Sequence, residues 1–157
     1  IAYGMLSNQE DAYDAAQEVF VRVYKSIESF KEQSSFTTWL YRITKNVCSD
    51  ILRKRQKHSG VISINQAIDE KKDMDIRDES PTPEENMEIS ERQRAVREAI
   101  SELKEEYRTV ITLCDIEGLS YDYIAEVLGI PSGTVKSRIN RARSALKKNL
   151  MNKRELF

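Results

Sequence analysis

The sequence has 157 residues, a formal net charge of −1 and 32% charged residues. This length suffices for one medium domain or two small ones, each with its own core. Its apolar runs are only a handful of residues, which excludes a helix of the ~20 apolar residues that span a bilayer, and we expect no membrane insertion. Cys48 and Cys114 match no metal spacing, so we expect reduced thiols, no bound metal or other cofactor, and a cytoplasmic location.

The small net charge hides a strong segregation along the chain. Residues 42–57 hold six Lys and Arg against one acid, and residues 132–154 hold eight against none. Residues 69–91 hold ten acids against three bases. Two basic blocks separated by an acidic one can bind a polyanion locally, which the average charge would not suggest.

The first block predicts two helices. An apolar stripe that includes Ala15, Val19, Phe20 and Ile27 at spacings of three and four predicts a helix over about 9–28. Residues 30–35 break the pattern and predict a loop, after which Ser35 is a good N-cap for a helix running to about residue 56. The second helix carries a polar stripe opposite its apolar side, for which a plain solvated helix face is the alternative interpretation.

Residues 58–90 contain Gly60, Pro81 and Pro83 with little periodicity, and they predict a mobile acidic linker. Its acids could repel DNA or cover the basic surfaces, and plain solubility is an equally good interpretation. The linker divides the chain into predicted domains at 1–57 and 91–157. No period-two alternation occurs, so we expect an all-α fold of two small helical domains.

The second block predicts a helix–turn–helix. Gly118 precedes a short helix capped by Ser120, Gly129 ends that helix, and Ser132 can cap the last one. The last helix would bury Val135 and its apolar partners and expose a polar and cationic arc suited to the major groove of DNA. Candidate duplex-binding residues are Ser132, Thr134, Lys136, Ser137, Arg138, Asn140, Arg141 and Arg143.

These candidates divide by chemistry. Arg141 is long enough for bidentate contact with a guanine, which gives sequence choice. Arg138 and Arg143 are interpreted as phosphate contacts, which give affinity and salt dependence.

In the first block, Phe36, Trp39 and Tyr41 precede a basic helix side, an arrangement that can stack unpaired bases. Trp39 as an ordinary core residue is the competing interpretation.

Three segments together resemble a known family. They read DAYDAAQEVFVRVYKSIESF, FTTWLYRITKNVCSDILRK and LSYDYIAEVLGIPSGTVKSRINRARSAL. They resemble regions 2 and 4 of bacterial extracytoplasmic-function (ECF) sigma factors over nearly the whole chain. The first helix of region 2 is mostly absent from this sequence, and we expect it to be truncated.

The resemblance implies specific roles and partners. The last helix would read the duplex −35 element through the candidates given above. Residues implied in capturing the melted −10 strand are Ser34, Ser35, Phe36, Thr38, Trp39, Arg42, Asn46 and Arg53. Residues implied in docking on core RNA polymerase are Asp14, Gln17, Glu18, Val21 and Arg22. The implied polymerase contacts are the clamp of the largest subunit and the flap of the second-largest, and an anti-sigma factor is a further implied partner.

Two other functions compete with a sigma factor. A stand-alone helix–turn–helix regulator would dimerise on palindromic half-sites, whereas we expect a sigma factor to be monomeric when free. That alternative leaves the first block without a role. An enzyme is disfavoured, because His58 lies in a charged stretch and the sequence has no phosphate-binding loop, no carboxylate pair in a plausible pocket and no metal cluster.

Overall fold

The computed structural model describes residues 1–59 and 83–152, and the side chains of residues 1–55 and 91–152. The described residues form helices without strands, which confirms the all-α prediction. The helices are α1 (Ala2–Leu6), α2 (Gln9–Ser26), α3 (Phe36–Ser59), α4 (Pro83–Ser101), α5 (Glu105–Ile111), α6 (Tyr121–Leu128) and α7 (Ser132–Asn152). A 3₁₀ turn at Ile27–Ser29 follows α2, and a π-helical turn at Thr112–Ile116 follows α5.

The helices extend into both ends of the predicted linker. α3 continues to Ser59, and α4 already begins at Pro83, whose fixed φ suits the first turn of a helix. The rest of the predicted linker, residues 60–82, lies outside the described residues. We call α1–α3 the first lobe and α4–α7 the second lobe.

The first lobe is built on α2 and α3, with α1 packed against both. Its buried cluster comprises Met5, Leu6, Ala15, Val19, Val47 and Cys48. Burial raises the pKa of the Cys48 thiol to about 11, so this side chain stays protonated at neutral pH. The predicted cap at Ser35 is confirmed, because its Oγ accepts the main-chain N–H of Thr38 at 3.0 Å.

The apolar stripe predicted for α2 was wrong at two positions. Phe20 is 71% exposed and Ile27 is 42% exposed, although both occur at helical spacing from buried residues. Ala15 and Val19 alone are fully buried along α2, so its packed side is narrower than its apolar side. Val23 also packs against this core, whereas Tyr13, Phe20, Val21 and Tyr24 are exposed and available to another molecule.

The second lobe forms the helix–turn–helix predicted from sequence. Its core includes Leu113 from the π-helical turn and the inner side of α7, and α7 packs against α4, α5 and α6. Ser120 caps α6 by accepting the N–H of Tyr123 at 3.2 Å. Gly129 ends α6 at φ 66°, a left-handed conformation that disfavours other residues. Among the described residues, no helix combines the length and hydropathy that a membrane span requires.

Candidate nucleic-acid interface

The outer side of α7 is a polar arc held by a buried inner side. Val135, Ile139 and Ala142 are fully buried in the second lobe, which fixes the rotation of the helix about its axis. On the opposite side Lys136, Asn140 and Arg141 are exposed. Two cations and one amide are therefore presented to solvent from successive turns of one helix.

Two other predicted DNA contacts on α7 already have carboxylate partners. Arg143 donates to both carboxylate oxygens of Asp115, at 3.2 and 2.5 Å, and this pairing raises the pKa of the guanidinium. Arg138 lies 3.6 Å from a carboxylate oxygen of Glu106. Both arginines hold α7 against the preceding helices, so a phosphate would have to compete with an existing pair.

The start of α7 differs in detail from the prediction. Ser132 is the first helical residue, and the Pro131 carbonyl accepts the first main-chain bonds, from Thr134 at 2.9 Å and Val135 at 3.1 Å. The N-cap position therefore falls on Pro131 and not on Ser132. Ser137 is exposed but its hydroxyl donates to the Thr134 carbonyl at 2.9 Å, as is common for serine within a helix.

The start of α3 is organised around a serine–threonine pair. The hydroxyls of Ser35 and Thr38 lie 2.8 Å apart, and Thr38 is fully buried. In this arrangement the Thr38 side chain fixes the first turn of the helix, and its predicted contact with the melted strand stays a prediction. Ser34, which precedes the cap, is half-buried.

Three aromatic rings meet where α3 begins. The Trp39 ring lies with its centroid 5.1 Å from that of Phe30 and 5.7 Å from that of Phe36. Phe30 meets Phe36 edge to face at 6.0 Å. Phe36 is 45% exposed, whereas Trp39 and Phe30 are half-buried. The sequence prediction missed Phe30, although an aromatic residue at the start of a polar loop was a usable signal.

The basic side of α3 is only partly open. Asn46 is exposed, and Arg53 is exposed with a guanidinium nitrogen 3.6 Å from Asp50. Arg42 instead donates to the main-chain carbonyl of Glu126 in α6 at 2.7 Å. Ser49 of the same helix is buried with no hydrogen-bond partner for its hydroxyl among the described residues.

The predicted docking surface on α2 is exposed and has an aromatic component that sequence analysis missed. Asp14, Gln17, Glu18 and Val21 are exposed. Arg22 donates to Glu18 at 2.8 Å and lies 3.4 Å from Asp50. Beside them lie three exposed rings, with exposed fractions of 64% for Tyr13, 71% for Phe20 and 83% for Tyr24. Spacings of four and seven put these rings and Gln17 on one side of α2.

Comparisons with known proteins identify the family of this chain. The family model for Sigma-70 region 2 matches residues 1–58, and the model for Sigma-70 region 4 matches residues 93–146. The ECF RNA polymerase sigma factor SigW of Bacillus subtilis is 41% identical over 152 residues, covering 96% of this chain and 81% of that protein. The chain belongs to the ECF RNA polymerase sigma factors.

Two further comparisons extend this result. The ECF sigma factor SigE of Mycolicibacterium smegmatis is 40% identical over 147 residues, which cover 94% of this chain but 54% of that protein. A solved structure of the sigma factor RpoE from Bartonella quintana, in complex with the anti-sigma factor NepR, matches at a TM-score of 0.68 and 27% identity. It covers 96% of this chain and 87% of that one. The ECF family consists of transcription initiation factors, which favours this function over a stand-alone regulator.

Proposed function

We propose that this sigma factor binds core RNA polymerase through α2, reads the duplex −35 element with α7 and holds the melted −10 strand at the start of α3. The observation that carries the proposal is the exposed arc of α7, where the side chains of Lys136, Asn140 and Arg141 have no hydrogen bond or ion pair with the described residues. Short polar and long cationic side chains on one exposed helix side suit base edges and phosphates respectively.

The aromatic cluster formed by Phe30, Phe36 and Trp39 supports a role in holding unpaired bases. Stacking on an aromatic ring contributes ~1–3 kcal/mol per base, which offsets the cost of removing a base from the duplex. Phe36 is the exposed ring of the three, so it is the best placed to stack on a base, and the half-buried Trp39 ring packs against it. Asn46 lies on the exposed side of the same helix, available to a displaced base or its phosphate.

The exposed side of α2 supports a protein partner. Tyr13, Phe20 and Tyr24 form an apolar surface with acidic and amide groups beside it, and aromatic anchors with a polar rim are typical of interfaces. The partner assigned to it is the clamp of the largest polymerase subunit, with the flap of the second-largest subunit assigned to the second lobe. The same proposal has three further parts. The domains are residues 1–57 and 91–157, the free chain is a monomer, and its location is cytoplasmic.

An anti-sigma factor is also proposed as a partner. The relative from Bartonella quintana was solved in complex with one, and that structure matches nearly the whole of this chain. Such a partner would compete with polymerase for at least one of the surfaces described above.

The test is run-off transcription with purified core polymerase and a library of promoters. We expect initiation above the core-only level on a subset of promoters, and Arg141→Ala should change the order of preference among them. Arg97→Ala is the matched control, since it removes an exposed cation from α4, which carries none of the predicted DNA-contact residues. No stimulation of core polymerase, together with a dimer that binds palindromic duplex, would favour the stand-alone regulator.

A further inference from the structure

Two carboxylates from the preceding segments flank α7, one on each side. Asp115 of the π-helical turn pairs with Arg143, and Glu106 of α5 lies close to Arg138. The two arginines are five residues apart, which separates them by about 140° around a helix with 3.6 residues per turn. The buried side of α7 lies between them on the shorter way round, and the exposed arc lies between them on the other. The two ion pairs therefore border the exposed arc at both of its edges.

The π-helical turn fixes the position of Asp115. The Glu117 N–H donates to the Thr112 carbonyl at 2.9 Å, which is the bond to the fifth residue back that defines such a turn. Leu113 is fully buried in the core of the second lobe, whereas Asp115, two residues later, is exposed beside α7. The core and the main-chain bond thus hold the carboxylate in front of the Arg143 guanidinium.

The pair of Asp115 with Arg143 has the geometry of a strong ion pair. Nε and Nη2 of the guanidinium donate to separate carboxylate oxygens at 3.2 and 2.5 Å, and these hydrogen bonds raise the pKa of the guanidinium. A bidentate arginine–carboxylate contact is stronger and more directional than a single hydrogen bond. Because the two charges cancel, a DNA phosphate that approaches Arg143 meets a neutral pair and must displace a carboxylate of its own sign.

The pair of Glu106 with Arg138 is a looser version of the same arrangement. Nε of Arg138 lies 3.6 Å from Oε2 of Glu106, which is close enough for charge attraction but too far for a hydrogen bond. Glu106 is also the more exposed of the two carboxylates, at 48% against 35% for Asp115. Solvent therefore screens its charge more, and Asp115 is the stronger of the two internal counterions.

The ion pairs reduce the number of cations that α7 offers to DNA. Residues 132–143 contain four cations, and the pairs leave Lys136 and Arg141 on the exposed arc. A cation that neutralises a phosphate releases a counterion and raises affinity for duplexes of any sequence. Phosphate contacts by themselves carry no sequence information. The pairs thus lower the general affinity of α7 for DNA and leave the guanine contact proposed for Arg141 intact.

A limited general affinity suits a subunit that must reach polymerase first. Sequence-independent sites in a genome outnumber promoters by orders of magnitude, and they would retain a free subunit that bound them tightly. Once polymerase holds the chain at a promoter, the high effective concentration of α7 compensates for its weak contact. Weak binding by α7 alone therefore favours polymerase over bulk DNA as the partner of the free chain.

We propose that Asp115, assisted by Glu106, is an affinity-limiting residue that acts as an internal counterion and withholds Arg143 from DNA phosphates. This inference rests on the proposed function, which assigns α7 to duplex DNA and the whole chain to polymerase. Its consequence is that the free sigma factor binds bulk DNA weakly and stays available to core polymerase.

The experiment uses Asp115→Asn, which removes the charge but keeps the size of the side chain. Fluorescence anisotropy measures binding of the full chain to a scrambled duplex over a range of salt concentrations, and circular dichroism verifies folding. We expect affinity at low salt to rise by about threefold or more, and the plot of log affinity against log salt to become steeper by about 1, as for one added phosphate contact.

Three further variants isolate the pair. Asp115→Asn/Arg143→Ala should lose the gain, because the released cation is gone, and Asp115→Glu should stay near the wild type because it keeps a carboxylate. Glu91→Gln is the control, since it removes one acid from an exposed position of α4 and should leave the salt dependence nearly unchanged. An unchanged affinity in Asp115→Asn, or a gain that persists without Arg143, would overturn the proposal. A lower affinity in Asp115→Asn would also overturn it, since Asp115 would then orient Arg143 towards DNA.

The second measurement is capture of the sigma factor by core polymerase in the presence of excess scrambled duplex. We expect this competitor to reduce capture of Asp115→Asn more than capture of the wild type. Equal reduction, despite tighter duplex binding by the variant, would overturn the consequence for polymerase. If the wild type is not captured even without competitor, the proposed function fails, and the scrambled-duplex titration still decides the role of Asp115.

Discussion

α7 and α3 are both amphipathic helices with a basic side, but they present their charges differently. Lys136 and Arg141 of α7 extend into solvent from a helix whose opposite side is fully buried. Arg42 of α3 is bonded to the main chain of the other lobe. A row of cations in a sequence therefore indicates that a helix could bind a polyanion. The tertiary contacts decide which of those cations are free to do so.

The largest expected effect comes from a change in the core beneath α7 that leaves the start of α3 intact. Leu113→Ala removes a fully buried side chain beneath α7 and should cost about 2–5 kcal/mol of stability. We expect a lower midpoint of chemical unfolding for the second lobe and weaker duplex −35 binding, while the aromatic cluster of the first lobe still binds single strands. Met151→Ala, at an exposed position, is the control and should change stability by less than about 0.5 kcal/mol.

A smaller effect is expected at the exposed arc itself. Arg141→Ala should weaken discrimination at one position of the −35 element by about 1–3 kcal/mol, because a bidentate guanine contact is lost. Competition binding with duplexes substituted at single positions measures it. We expect duplexes that differ at one −35 position to become more similar in affinity for the variant than they are for the wild type. If all duplexes lose affinity equally, Arg141 contacts phosphate and not a base.

The cap at the start of α3 gives the next effect. Ser35→Ala removes the acceptor for the Thr38 N–H and should destabilise the first lobe by about 1 kcal/mol. Thermal unfolding measures the loss. Ser35→Asp keeps an acceptor at the N-terminus and should retain most of the stability. Equal losses in both variants would mean that the loss does not come from the acceptor for the Thr38 N–H.

The smallest effect is expected from removing one of two cations, Lys136 or Arg143, on the same helix. Lys136→Ala should reduce the slope of log affinity against log salt for duplex DNA by about 1, as for one lost phosphate contact. Arg143→Ala should change it less, because Arg143 is already paired with Asp115, and the exposed pair contributes only about 0.2–1 kcal/mol to stability. Equal slopes for the two variants would show that DNA displaces Asp115.

Local chemistry made much of this fold predictable. Ser35, Ser120 and Gly129 each act within a few residues of their own position, so cap and turn preferences located three helix boundaries correctly. The inner side of α7 followed from its period, because Val135 and Ile139 are one turn apart and both are buried. The helix–turn–helix could be predicted for these reasons.

The errors have a different physical origin. Phe20 was placed in the core because hydropathy does not distinguish burial within the chain from burial against another molecule. The bond from Arg42 to Glu126 joins residues 84 positions apart, and the pairing of Arg143 with Asp115 joins residues 28 apart. No local pattern encodes such contacts. The location of the predicted DNA face on the helices stays a prediction, and so does the choice of its members that contact DNA.

The buried thiol of Cys48 is a natural probe for exposure of the interior of the first lobe. The thiolate is the nucleophile that attacks an alkylating reagent, and a pKa of about 11 leaves little of that form, while burial blocks access to it. Modification of Cys48 should therefore proceed only as fast as the first lobe exposes its interior, whereas the half-buried Cys114 of the second lobe should react sooner. Mass spectrometry of a timed alkylation would report the opening of the first lobe without any engineered label, with Cys114 as the more accessible reference.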